Sequence, residues 1–174
     1  FVRSRGRFIR SAQQRFLERA ACAPKLEKYE NGEPFRLMGR EVSLKVERGE
    51  KNAVSFDGSC LRLSVKDPGD REKRKKLAEG YLNQKCRIVF GGIMAEILPD
   101  FRDYGISMPV LRVRSMRTRW GSCSPAKGAI TLNRRLLEAP RSCIEYVVMH
   151  ELIISSCRTL SISVKAVTAK AVRF

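Results

Sequence analysis

The chain has 174 residues but only one histidine, His150, and this scarcity restricts every metal-binding hypothesis. Its six cysteines include no C-x-x-C pair, so the sequence indicates neither a zinc ribbon nor a disulfide framework. No run of about 18 apolar residues is present, which argues against a transmembrane helix. The first residues also lack the apolar core of a signal peptide. Together these absences predict a cytoplasmic protein with reduced thiols and no membrane partner.

The chain has few acidic residues relative to basic ones: it contains 18 Asp and Glu residues and 35 Lys and Arg residues, and its formal net charge is +17. Such an excess favours contact with polyanions but names no partner by itself. The 43% apolar and 30% charged residues are typical of a soluble globular protein. A chain of this length suffices for one domain with a substantial core. Nothing in the composition indicates an oligomeric state.

The spacing of apolar residues divides the first half of the chain into two parts. Residues 8–21 have apolar side chains at helical spacing, and we interpret residues 1–34 as an N-terminal helical arm. Over residues 35–65 apolar and polar side chains alternate, with an Asp-Gly turn before the last alternating run. This pattern predicts a small antiparallel meander with one polar face.

A long helix and a pair of strands are predicted next. Asp70 is a candidate helix cap, and an apolar stripe predicts a helix over 71–98. Residues 111–118 and 129–133 read as two paired strands. The segment 119–128 between them is rich in turn-forming residues and predicts a loop.

A further helix follows Pro140, where Ser142 and Glu145 have the spacing of a capping box. Its middle is mostly apolar, yet it contains the adjacent residues His150 and Glu151. An imidazole and a carboxylate within an apolar helix cost free energy unless they are paired or bind a metal. A local break of this kind often marks a functional site.

His150 and Glu151 form the first half of the zinc-peptidase pattern H-E-x-x-H. In that pattern two histidines one helical turn apart bind zinc, and the Glu acts on the metal-bound water. Position 154, where the second histidine would stand, is Ile154. A His-Glu dipeptide alone is more often structural, and a Cys123–His150 nucleophilic pair is a further, weaker alternative.

Four short segments of specific sequence occur in order: MRTRWGSC (116–123), ITLN (130–133), LLEAP (136–140) and IEYVVMHEL (144–152). Residues 111–152 thereby closely resemble the YgjP-like metallopeptidase family, a zincin group related to the SprT-like proteases. A weaker similarity extends back to about Tyr29.

The resemblance implies an α+β fold in which a small antiparallel sheet packs against helices, one of them the active-site helix, over residues 35–152. It also implies zinc-dependent hydrolysis of a peptide or protein substrate, with His150 as the first zinc ligand and Glu151 as the general base. The second ligand would fall at position 154 and the third a few residues later, and both are absent. The sequence therefore predicts a metallopeptidase domain that binds Zn²⁺ poorly and is inactive in this chain.

The resemblance ends after Leu152, and residues 153–174 contain no acidic residue. One set of codons for residues 153–159 is ATC ATC TCA TCA TGC CGG AC. One additional C after the first ATC changes the translation to Ile-His-Leu-Ile-Met-Pro-Asp, which places a histidine at position 154. We therefore interpret 153–174 as an out-of-frame tail, produced by a base deletion in the gene, a sequencing error or a mispredicted exon.

Three residues near the strands are candidates for substrate binding: Arg119, Trp120 and Asn133. Two of them also have a structural alternative. The sequence favours a Trp120 that packs the turn against the helix, and Asn133 would either cap or orient the cleft or end a strand. If 111–118 or 129–133 forms a sheet edge beside the helix, the substrate backbone would add to it as an extra strand.

The alternative function is a nucleic-acid-binding module without catalysis. Its basis is a cluster of basic residues around the two strands: Arg112, Arg114, Arg117, Arg119, Arg134 and Arg135. Strand alternation would place Arg112 and Arg114 on one face and the next two arginines on the other, so a single basic stripe would need a bulge. This alternative predicts binding that weakens steeply with salt and requires no zinc.

Overall fold

The computed structural model describes the backbone of residues 26–104 and 107–160 and the side chains of 26–101 and 107–155. The helix predicted over residues 8–21 lies outside the described residues. None of the described helices is long and apolar enough to span a membrane. The described part contains two α-helices and two small sheets, so the predicted α+β class is confirmed.

The first sheet has four strands in the order β1-β2-β4-β3. The strands are β1 (Pro34–Leu37), β2 (Arg40–Arg48), β3 (Ala53–Phe56) and β4 (Cys60–Val65). The predicted antiparallel meander is wrong at one pairing, because β2 and β4 run parallel. The apolar side chains of β4 are fully buried, and this strand occupies the centre. The less apolar β3 lies at the edge and returns to β4 through a hairpin.

The hairpin between β1 and β2 contacts the segment that precedes the second helix. Met38 and Gly39 both have positive φ, 50° and 80°, as a tight hairpin turn requires. The N–H of Met38 donates to the carbonyl of Leu137 at 2.7 Å, and a Cβ on Gly39 would lie 2.9 Å from Cγ of Pro140. The first sheet is thereby attached to the start of the second helix.

The first helix, α1 (Arg71–Ile97), confirms the helix predicted over 71–98. Its cap is also confirmed, since the N–H of Lys73 donates to the carboxylate of Asp70 at 2.9 Å. Phe90 and its neighbours on the inner face are fully buried. The chain continues as a 3-10 segment, Leu98–Tyr104.

The second sheet has the order β5-β7-β6, with β5 (Val110–Arg114), β6 (Gly121–Ser124) and β7 (Ala129–Asn133). Two predictions are corrected here. The strand predicted over 111–118 already ends at Arg114, and the predicted loop contains β6. β6 returns to β7 through a short turn in which Gly128 has φ 52°. β7 pairs with both other strands and is therefore central, parallel to β5 and antiparallel to β6. Both sheets are mixed, so the single antiparallel sheet expected from the resemblance is also corrected.

The second helix, α2 (Arg141–Leu160), begins directly after Pro140, whose carbonyl accepts from the N–H of Ile144 at 3.3 Å. Ser142 therefore lies inside the helix and not at its cap, so the predicted capping box does not form. Glu145 instead pairs with Arg141, one turn earlier, at 2.7 Å.

The core joins both sheets to both helices. Ile144, Val148 and Leu152, one turn apart along α2, are fully buried, and they pack in the same cluster as residues of β4, β7 and α1. Tyr29, which the sequence placed in the N-terminal arm, is 5% exposed and belongs to this core.

Candidate functional site

The helix α2 presents His150 and Glu151 in different environments. Glu151 is 5% exposed and lies among the buried residues, whereas His150 is exposed. Tyr146, one turn before His150, stacks on the imidazole with ring centroids 6.1 Å apart and an interplanar angle of 24°. The imidazole is therefore supported on one side and accessible on another.

Gly121, the first residue of β6, makes room for the Glu151 side chain. A Cβ at position 121 would lie 2.7 Å from Oε1, 2.8 Å from Cγ and 2.9 Å from Cδ of Glu151. Real Cβ atoms do not approach heavy atoms so closely, so only glycine is accommodated without a shift. The W-G-S segment thus has a direct physical reason for its glycine, which sequence reasoning did not identify.

Reduced contact with water shifts the pKa values of the two residues in opposite directions. It raises the pKa of the Glu151 carboxyl, and the positive charge of Arg119 partly opposes this effect. Loss of water around His150 lowers the pKa of its imidazole. A carboxylate with a raised pKa is a better proton acceptor, and a neutral imidazole has a free nitrogen lone pair. Perturbed groups that share a cleft are typical of functional sites.

These residues line a cleft of about 270 Å³ between α2, β6 and the loop before β6. Its lining comprises Thr118, Arg119, Trp120, Gly121, Tyr146, Val147, His150 and Glu151. The structure therefore brings together four of the five predicted site residues. Thr118, Gly121, Tyr146 and Val147 were not identified from the sequence, although all of them lie inside the segments that carried the family resemblance.

Asn133, the fifth predicted residue, lies behind the cleft and is 3% exposed. Its Nδ2 donates to the carbonyls of Met116 at 2.8 Å and Arg119 at 2.9 Å, and its Oδ1 accepts from the N–H of Arg135 at 3.2 Å. The backbone N–H of Asn133 also donates to the carbonyl of Trp120 at 2.9 Å. The side chain thus holds the loop that carries Arg119 and Trp120, and it caps the 3-10 segment Arg134–Glu138.

One of the two segments proposed from the sequence as a sheet edge is not an edge. Residues 129–133 form the central strand β7, so they cannot accept an additional strand. The edges are β5 and β6, and β6 borders the cleft through Gly121.

The six arginines near this sheet separate into two groups. Arg134 pairs with Glu79 at 3.4 Å and Arg135 with Glu138 at 3.7 Å. The remaining four are exposed. Because β5 ends at Arg114, the expected alternation of faces does not extend to Arg117 and Arg119.

The described residues do not fit a catalytic zinc ion. Within this part of the chain, no group of three His, Cys, Asp or Glu side chains is arranged to hold a metal. His150 is the only histidine in the sequence, and Ile154 follows it one turn later on α2. Catalytic zinc sites need three protein ligands to fix their geometry, and the described residues do not supply them.

The family model described as YgjP-like, metallopeptidase domain, matches residues 1–153 of the chain. No curated protein and no solved structure matches the chain.

Proposed function

Because the chain belongs to the YgjP-like metallopeptidase domain family, we propose that it is a zinc-peptidase domain made inactive by the loss of its metal ligands. In the intact domain His150 would be the first ligand and Glu151 the general base. The observation that carries the proposal is the Glu151 carboxylate, buried against Gly121 in the cleft beside His150. This chain keeps that arrangement without the rest of the metal site.

The proposed role of Glu151 is supported by its surroundings. Its side chain is almost completely buried, but it still lines the cleft. Burial raises its pKa, and the positive charge of Arg119 partly opposes that rise; a carboxylate with a raised pKa is a better proton acceptor. A purely structural carboxylate would be expected to form an ion pair or a hydrogen bond with its neighbours.

The proposed loss of metal binding is supported by position 154. A residue four positions after His150 on a continuous helix lies on the same face, and α2 continues through this position. The side chain there is the half-buried Ile154, which has no atom that can bind a metal.

For the intact domain we propose an extended peptide as substrate. The β6 edge borders the cleft, and an edge strand can pair its backbone with a peptide. Arg119 and Trp120 line the same cleft and would contact side chains of that peptide, while Asn133 would hold their loop.

The experiment restores one ligand. We expect Ile154→His to bind Zn²⁺ at least tenfold more tightly than the unaltered chain in isothermal titration, because two histidines then lie one turn apart. Ile154→Asn is the matched control for polarity, and adding His150→Ala to Ile154→His should remove the gain. Equal zinc affinity of Ile154→His and Ile154→Asn would contradict the proposal.

We further propose that residues 153–174 are an out-of-frame tail, that 35–152 form the peptidase domain and that 1–34 form an arm. The family match ends at residue 153, which supports the first of these. Sequencing genomic DNA and transcript across the codons for residues 149–174 tests it. We expect an additional C after the Ile153 codon, and an unchanged reading frame in both would contradict the frameshift.

Nucleic-acid binding is a second candidate, favoured by one observation about charge. No acidic residue occurs between Asp103 and Glu138, and this stretch forms the whole second sheet. Arg112 and Arg114 are exposed on the outer face of β5, where Arg112 lies level with Thr131 of β7. No carboxylate of the described residues pairs with these two arginines, so the face can contact phosphates.

The test is binding to a short fluorescent DNA duplex over a range of salt concentrations. Each phosphate contact that is lost should reduce the slope of log K against log salt by about 0.9. We expect Arg112→Gln with Arg114→Gln to weaken binding about tenfold and reduce the slope, since phosphate contacts dominate such affinities. Arg40→Gln with Arg48→Gln, on the first sheet, is the control of equal charge. If both double variants lose affinity equally, binding reflects net charge and the assigned face is wrong.

A further inference from the structure

A second cavity of about 220 Å³ lies apart from the cleft and shares no lining residue with it. It is enclosed by β1, α1, the residue after β5 and the 3-10 segment after β7. Because β5 and β7 are parallel, Ser115 and Arg134 follow the same ends of neighbouring strands and meet here.

The cavity is lined by three arginines, Arg36, Arg134 and Arg135, and by one acidic residue, Glu138. A second carboxylate, that of Glu79, pairs with Arg134 from outside the lining. Guanidinium groups match phosphate and carboxylate groups through paired N–H donors. The excess of positive charge in a partly enclosed space therefore favours an anion.

Two of these arginines are held in place by carboxylates. Arg134 pairs with Glu79 at 3.4 Å, and the hydroxyl of Tyr29 donates to the same carboxylate oxygen at 3.0 Å. Arg135 pairs with Glu138 at 3.7 Å. These pairs fix the direction of the two side chains and reduce the conformational entropy that a ligand would have to remove.

Arg36 differs from the other two. It is half-buried at the cavity wall, and no carboxylate of the described residues pairs with it. The positive charge of its guanidinium is therefore not balanced by a neighbouring carboxylate and can attract a ligand.

The size of the cavity limits the ligand. Sites for drug-sized molecules usually measure about 300–1,000 Å³, and this cavity is smaller. Ser115 adds a hydroxyl group at the lining, whereas Tyr29 donates its hydroxyl proton to Glu79. Burial and the bond to Glu79 raise the pKa of Tyr29 to about 12, so its hydroxyl stays protonated.

We propose that this cavity binds a small oxyanion, a phosphate or carboxylate group, and that Arg36 is its principal contact. The proposal does not depend on peptidase activity, on zinc or on the basic face of β5. It adds a second binding site that shares no lining residue with the cleft.

The test is thermal unfolding of the full chain with inorganic phosphate at constant ionic strength, balanced with chloride. We expect a saturable rise in Tm for the unaltered chain and for Arg48→Gln, an exposed arginine on β2. For Arg36→Gln, which keeps most of the side-chain stem, we expect at least a tenfold weaker apparent affinity. Tm values without phosphate verify that each variant folds.

A parallel titration with acetate distinguishes the two chemistries. Saturation by phosphate alone assigns a phosphate site, and comparable saturation by acetate assigns a carboxylate site. A rise that never saturates, or an equal response of Arg36→Gln and Arg48→Gln, would overturn the proposal, because the effect would then reflect only the net charge of +17.

Discussion

The two sheets differ in whether the charged side chains on their outer faces form ion pairs. On the first sheet Lys45, Glu47, Arg62 and Asp57 form a chain of exposed ion pairs, with distances of 2.6, 3.8 and 3.0 Å. The second sheet contains no acidic residue, and no carboxylate among the residues that the structure describes pairs with its exposed arginines. A sheet that pairs its own charges leaves little for an external anion, whereas one with unpaired cations is available to a ligand. The proposed anion contact at the outer face of β5 lies wholly on the second sheet. The arginine-lined cavity combines both sheets, because Arg36 belongs to β1 whereas Arg134 and Arg135 follow β7.

The largest expected effect is a loss of stability, and it concerns a feature that both sheets share, a buried leucine in an inner strand. Leu63 in β4 and Leu132 in β7 are each fully buried in an inner strand of their sheet. We expect Leu63→Ala and Leu132→Ala each to lower the free energy of unfolding by about 2–5 kcal/mol, because each leaves a cavity in the common core. Urea unfolding measures both. A much smaller loss for Leu132→Ala would mean that the second sheet is only loosely attached to that core.

Asn133 tests whether the second sheet organises the cleft. We expect Asn133→Ala to cost about 1–3 kcal/mol, because it leaves buried backbone groups without partners. It should also change the fluorescence of Trp120, the only tryptophan of the chain, since the loop loses two hydrogen bonds. Thr131→Ala, on the same strand but half-buried, is the control. Unchanged tryptophan fluorescence in Asn133→Ala would argue against a role in holding this loop.

We expect replacement of glycine by alanine to change the stability of the fold in opposite directions at two positions. We expect Gly121→Ala to destabilise the fold by about 1–3 kcal/mol, because its Cβ would overlap the Glu151 side chain. A Cβ on Gly92, within α1, meets nothing within 4 Å. Gly92→Ala should therefore stabilise by about 0.5–1 kcal/mol through the helix preference of alanine. Chemical denaturation of both variants checks the signs, and a neutral Gly121→Ala would show that Glu151 moves freely.

The smallest effect concerns acid stability of the first sheet. Hydrogen bonds from the N–H groups of Ser59 and Cys60, and from Arg62, hold the pKa of Asp57 well below its usual range. A depressed folded-state pKa contributes stability above the unfolded-state pKa of about 3.9, and this contribution is lost as the pH falls further. We expect the stability difference between the unaltered chain and Asp57→Asn to be constant near neutral pH and to shrink below about pH 4. Unfolding curves at several pH values test this, and a constant difference down to pH 2 would contradict it.

Local features of this protein were predictable because they depend on neighbours in the sequence. The helix over 71–97 follows from its own apolar spacing and from the Asp70 cap, and the placement of His150 and Glu151 on a helix follows from the pattern around them. The capping box failed for a local reason as well, since the helix begins one residue before Ser142. The family assignment was also accessible from short ordered segments, and the family match confirms it.

The pairing of strands was not predictable in the same way. Alternation identified β2 and β4 but did not reveal that they run side by side in parallel. It also missed β6, because Gly, Ser and Cys have no strong preference for strands and the segment resembled a loop. Strand order depends on which strands bury the most apolar surface together, and this is a property of the whole chain.

Sequence alone established the family, the two helices, the basic charge and the absence of a second histidine, because each is a property of composition or of short-range pattern. Only the tertiary structure decided that Gly121 lies against Glu151, that Asn133 holds the loop lining the cleft, and that Arg36 and Arg134 line the same cavity. These residues are far apart in the sequence. Their contacts arise because packing of both sheets against α1 and α2 brings distant segments within a few ångströms.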